Sequence, residues 1–129
     1  MKLVLEIAPP DPLLNPNRVK RAPWYYGRRA EMARRSKESG FAATELALRK
    51  AGLRPPITAA GHVILDVEWR LGFRRRALDD DNAIAMLKPA RDGIAEALGV
   101  DDRVMRVGQL NFVRSASQFG SLAITLSWE

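Results

Sequence analysis

The chain has 129 residues, 47% hydrophobic and 28% charged, which is enough for one domain with a modest core and too apolar for wholesale disorder. Its 21 Lys and Arg against 15 Asp and Glu give a formal net charge of +6, and arginine, the better bidentate phosphate binder, dominates the basic set. With no cysteine and one histidine, His62, the composition excludes disulfides, thiolate catalysis, cysteine-based zinc sites and multi-histidine metal sites.

Residues 2–8 are rich in Val, Leu and Ile and predict a short strand ended by Pro9-Pro10. Glu6 and the prolines interrupt this stretch, which is therefore no signal peptide, and no apolar run approaches the roughly 18–20 residues of a membrane span. A cytoplasmic protein with no membrane partner is the expectation. From Asp11 to Gly27, breakers at Pro12, Asn15, Pro16, Asn17 and Pro23 predict a loop. It carries Arg18, Lys20 and Arg21 beside Trp24, Tyr25 and Tyr26, a mixture that either grips phosphates and stacks on exposed bases or anchors the loop to the core.

Residues 28–51 predict a helix, with Arg28 and Arg29 at its start and a weak point at Gly40 that allows two helices instead of one. Residues 62–71 alternate, Val63, Leu65, Val67 and Trp69 against Asp66, Glu68 and Arg70, as a half-buried strand does. A second helix is expected from Asn82 to Leu98, capped by Asp81 and Gly99, with Pro89 as an interior obstacle. Residues 104–114 and 121–128 predict two strands. The resulting β-α-β-α-β-β order defines a single α+β domain over residues 1–129, with two main helices and a small mixed or antiparallel sheet.

The most informative stretch is Arg74-Arg75-Arg76-Ala77-Leu78-Asp79-Asp80-Asp81-Asn82, a basic triplet running into a carboxylate triplet at a helix start. Carboxylates this close repel one another, and a hard divalent cation with oxygen ligands relieves the repulsion. Asp101-Asp102 follow the next helix and would complete such a site if the chain returned to the same end. Lys88 lies seven residues beyond Asp81, about two turns along nearly the same face; there it would approach the site or simply pair with Asp92. Asp before a helix is also an ordinary cap, and Asp-Asp after Gly-Val an ordinary turn. The combination points to metal-dependent phosphodiester chemistry on nucleic acid, with Mg²⁺ preferred and Mn²⁺ able to substitute.

The run Arg74–Asn82, then Lys88, Asp92-Gly93-Ile94 and Gly99-Val100-Asp101-Asp102-Arg103-Val104, resembles the RusA-type Holliday-junction resolvases, including phage forms. Pro9-Pro10 followed by Asn15 or Asn17 is similar to that family's N-terminal pattern. The resemblance implies a homodimeric, Mg²⁺-dependent endonuclease that resolves four-way and other branched DNA by paired symmetric cuts. It implies catalytic Asp79, Asp81 and Asp102 as metal ligands and Lys88 as the essential lysine. Asp80, Asp92 and Asp101 would support those ligands, while Arg74, Arg75, Arg76, Arg18, Lys20, Arg21, Arg28 and Arg29 would bind the DNA backbone. Two positions depart from the family's pattern: Asp80 stands where an apolar residue is common, and Ala85 occupies the position, one turn after the Asp-x-Asp-Asn run, where the lysine can also lie. The alternative is a non-catalytic DNA-binding protein of the same fold.

Overall fold

The computed structural model describes residues 1–16, 24–73, 75–117 and 119–129. Its main elements are β1 (Lys2–Ile7), α1 (Trp24–Ala51), β2 (Val63–Leu71), α2 (Asp80–Leu98), β3 (Met105–Arg114) and β4 (Ser121–Ser127). This is the expected β-α-β-α-β-β order in an α+β domain. The sheet runs β1-β4-β2-β3 and is mixed: β4 pairs antiparallel with both β1 and β2, while β2 and β3 are parallel. A parallel pair cannot be joined by a tight turn, so the chain must travel back along the sheet before β3 begins. Helix α2 makes that return.

Alternation along the strands sets the layers. Leu3, Leu5 and Ile7 of β1, Val63, Leu65, Val67, Trp69 and Leu71 of β2, and Leu122, Ile124 and Leu126 of β4 are all buried. They form one core with Met32 and Leu48 of α1 and Met86, Leu87, Ile94 and Leu98 of α2. The intervening residues lie on the other face, where Val4 and Glu68 are exposed and Ile64, Asp66 and Thr125 are half-buried.

Helix α1 is continuous through Gly40, where the sequence allowed a break. Gly40 is buried against Ala90 of α2, and an added Cβ would collide with the Ala90 carbonyl; Gly93 of α2 meets the Lys37 backbone in the same way. Two glycines thus let the helices approach backbone to backbone, and this packing offsets the roughly 1 kcal/mol helix penalty of a glycine. Thr44 donates its hydroxyl to the Gly40 carbonyl at 2.7 Å, and Lys37 pairs with Glu96 across the helices at 3.3 Å. Helix α2 likewise runs through Pro89, next to the fully packed Ala90.

Two helix starts differ from expectation. Helix α1 begins at Trp24, so the aromatic cluster lies in its first turn instead of a loop. Tyr25 is buried and donates its hydroxyl to the Leu13 carbonyl at 3.3 Å, which makes it the anchor of the preceding segment. Trp24 and Tyr26 are exposed. Helix α2 begins at Asp80, not Asn82, and the capping position belongs to Asp79, not Asp81. Asp79 makes no side-chain capping bond there, so its carboxylate is not consumed by the helix.

Candidate functional site

The segment between β2 and α2 is tied down by its backbone. Arg75 donates its N–H to the Gly72 carbonyl at 3.1 Å, Phe73 to Ser117 at 3.2 Å, and Ser115 to Leu71 at 3.0 Å. Arg114, at the end of β3, donates its guanidinium to the Arg75 carbonyl at 3.0 Å. The basic-to-acidic junction is therefore fixed at the C-terminal end of β2, beside the turn between β3 and β4.

Asp79 has extended backbone (φ −60°, ψ 142°), while Asp80 and Asp81 enter the first helical turn. The strand-like period that would align Asp79 with Asp81 thus ends at Asp79. All three are exposed, and none is in an ion pair among the described residues. Arg75 and Arg76 are also exposed and unpaired by the same measure. A helix N-terminus favours such carboxylates by roughly 0.3–1 kcal/mol each.

Asp101 and Asp102 lie elsewhere. Helix α2 has 19 residues and, at 1.5 Å per residue, spans about 28 Å. Asp79 precedes it and Asp101-Asp102 follow it. The parallel register pairs Met105 with Val63, so the second acidic pair sits beside the N-terminal end of β2. Within one copy, the structure does not bring Asp102 to Asp79 and Asp81. The return to the same end, on which the expected single-chain cluster depended, does not occur. No group of three or more candidate metal ligands forms among the described residues.

Asp101 is itself engaged. Its carboxylate accepts from the Arg103 guanidinium at 2.9 and 3.2 Å and from the Arg103 backbone N–H at 2.9 Å. The guanidinium first, and the N–H second, hold its pKa well below the usual carboxylate range. Asp102 has no ion pair among the described residues.

Lys88 projects the other way from the Asp79 end. Its ammonium lies 3.1 and 3.3 Å from the two carboxylate oxygens of Asp92, one turn toward the C-terminus. The pair is exposed (57% and 31% for the two side chains), where an i,i+4 bridge stabilises a helix by about 0.3–0.5 kcal/mol. Lys88→Ala is accordingly expected to lower stability by a few tenths of a kcal/mol, read by urea unfolding. If the protein cleaves DNA, single-turnover cleavage by this variant is expected to stay near normal; a loss of about 10²-fold or more would return Lys88 to the reacting centre.

Of the other expected DNA contacts, Arg28 pairs with Glu31 at 3.3 Å and Arg29 donates to the Leu13 carbonyl at 3.3 Å. Arg18, Lys20, Arg21 and Arg74 lie outside the described residues.

A cavity of about 630 Å³ adjoins the acidic turn, a feature that linear reading did not reveal. Its buried lining includes Pro10, Trp69, Leu71 and Met86, and its exposed lining includes Ala8, Arg75, Arg76 and Phe119. Leu78, next to Asp79, also lines it. The walls come from the segment after β1, the end of β2, the segment before α2, Met86 of α2 and the turn before β4, five stretches that only the fold juxtaposes. Pro9-Pro10 and Asn15, singled out in the sequence, lie on its wall.

No family model matches the chain. An uncharacterized protein of Xylella fastidiosa (strain Temecula1 / ATCC 700964) is 72% identical over 25 residues, 19% of this chain and 16% of that protein. The chain thus matches about a sixth of that relative's length. No helix among the described residues is long and apolar enough to cross a membrane.

Proposed function

We propose that this protein is a Mg²⁺-dependent endonuclease of the RusA type that acts on four-way and other branched DNA. The observation that carries the reading is a run of exposed charges at one end of the sheet, carboxylates Asp79–Asp81 a few residues after Arg75 and Arg76, none of them in an ion pair among the described residues. Arginines of this kind seat a phosphate bidentately, and carboxylates beside it meet what a hard cation requires. Mg²⁺ is commonly held by one or two carboxylates together with substrate phosphate oxygens, so Asp79 and Asp81 fit it without a complete protein cage. When bound there, the ion would supply an activated water and charge stabilisation of the leaving oxygen. Arg75 and Arg76 orient the strand; Asp80, in the same turn, adds negative charge that favours the cation.

Asp102 enters this reading from a second copy. An antiparallel twofold arrangement of two α2 helices would set Asp102 of each protomer opposite Asp79 and Asp81 of its partner. Twofold dimers are the commonest assembly and would provide two symmetric sites for a twofold junction. Asp101, fixed by Arg103, would hold the neighbouring Asp102 backbone in place. The non-catalytic alternative draws support from the absence of a three-ligand group within the described residues of one copy. Incubation with a mobile four-way junction and a matched duplex, in Mg²⁺ or EDTA, decides between them: paired nicks in the junction only with Mg²⁺ support the nuclease, and Mg²⁺-indifferent binding without cleavage supports the alternative.

The arginines carry a separate expectation. Junction affinity should fall by about 0.9 log unit per log unit of salt for each neutralised phosphate. Replacing Arg74, Arg75 and Arg76 with Ala is expected to lower that slope by one to three such increments, measured by anisotropy across a salt series. An unchanged slope would put the triplet off the DNA path.

A further inference from the structure

The cavity beside the acidic turn has three properties that together define a ligand. Its inner wall is apolar and includes the buried Trp69 and Met86, with Pro9 and Pro10 as further apolar surface. Its mouth carries Phe119, 78% exposed, an aromatic face available for stacking. Two lining guanidinia, Arg75 and Arg76, have no ion pair among the described residues, whereas Arg70 is already shared between Glu68 at 3.0 Å and Glu6 at 3.4 Å. At about 630 Å³ the space lies within the roughly 300–1,000 Å³ of small-molecule sites. A flat aromatic ring attached to a phosphate satisfies all three properties.

We propose that this cavity is a nucleotide pocket, which receives one unpaired base among Trp69, Leu71 and Met86 and holds its phosphate on Arg75 and Arg76. The inference rests on the nuclease reading only for the source of the nucleotide, a strand at a branch point, where pairing and stacking are weakest and extrusion costs least. Leu78 connects the pocket to Asp79, so a base held there fixes the register of the neighbouring phosphate against the carboxylates. The pocket would thus turn recognition of an unpaired nucleotide into placement of the strand.

The first arm of the test uses neither junction nor metal. Backbone-amide and indole NMR spectra are recorded while dTMP, dAMP, thymidine and inorganic phosphate are titrated in turn. The expected result is that both monophosphates shift the Trp69 indole and the Gly72 and Gly120 amides, at least tenfold more tightly than thymidine or phosphate alone. Ala8→Trp, which places a bulky ring at an exposed lining position, is expected to weaken dTMP by at least tenfold with the remaining spectrum unchanged. Arg75→Ala with Arg76→Ala gives a second variant, expected to reduce monophosphate binding to the level of thymidine. Shifts that are absent, that map elsewhere, or that phosphate alone reproduces overturn the pocket. A second arm places 2-aminopurine at the exchange point of a four-way junction, with Ca²⁺ in place of Mg²⁺. Fluorescence is expected to rise on binding to the protein and to stay low with Ala8→Trp. Junction cleavage with no mononucleotide shift and a silent probe would remove the pocket and leave the nuclease. Specific mononucleotide binding without any junction binding would do the reverse.

Discussion

Asp81→Asn is expected to lower junction cleavage by at least about 10²–10³-fold, the loss associated with a single electrostatic contributor at a reacting centre, with junction binding equal or tighter. Binding is spared because the substitution removes negative charge beside an incoming phosphate and leaves the arginines untouched. Asp102→Asn is expected to behave alike. The informative experiment mixes the two inactive proteins. If each site draws Asp79 and Asp81 from one protomer and Asp102 from the other, a heterodimer has one site with both substitutions and one with neither. The mixture should therefore regain nicking of one strand, but not paired resolution. Separate sites within each chain would leave the mixture as inactive as its parts. Full cleavage by Asp81→Asn alone would exclude that carboxylate from the chemistry.

The largest expected effect on stability lies far from these carboxylates. Gly93→Ala places a Cβ against the Lys37 backbone carbonyl, a rigid neighbour that cannot rotate away. Helix propensity alone would favour alanine by about 1 kcal/mol. Overpacking typically costs about 1–3 kcal/mol and occasionally more, and here the added Cβ meets the α1 backbone at Lys37 and Phe41, so a net destabilisation of about 2 kcal/mol is expected. Urea unfolding should show a lower midpoint at unchanged slope. Gly61→Ala is the control, since its added Cβ meets nothing within 4 Å, and it should stay within about 0.5 kcal/mol of the parent. A neutral Gly93→Ala would mean that the helices can separate there without loss.

These two experiments probe different levels of the molecule. One asks whether a charge cluster performs chemistry, and the other whether the close α1–α2 crossing underpins the architecture. They are expected to be independent, because Gly93 lies twelve residues beyond Asp81, more than three turns along α2.

Local patterns in the sequence determined the elements. Period-two alternation in residues 62–71 and 121–128 specified both strands and their buried faces, because a strand's side chains alternate whatever it packs against. Gly99, with φ 73°, ended α2 where a left-handed residue was needed. The charge cluster at 74–82 was equally legible, since charges adjacent in sequence remain adjacent in any fold. What depended on contacts between distant residues was not. Gly40 is a weak point when read alone and a necessity once Ala90 lies against it. Asp101-Asp102 look like partners of Asp79 and Asp81 until the parallel β2–β3 register carries them to the far end of α2. The cavity is invisible in the chain because its walls come from five stretches that the fold brings together. Spacing along the sequence fixes which charges are neighbours on one element; only the return path of α2 decides which ends of the sheet they occupy.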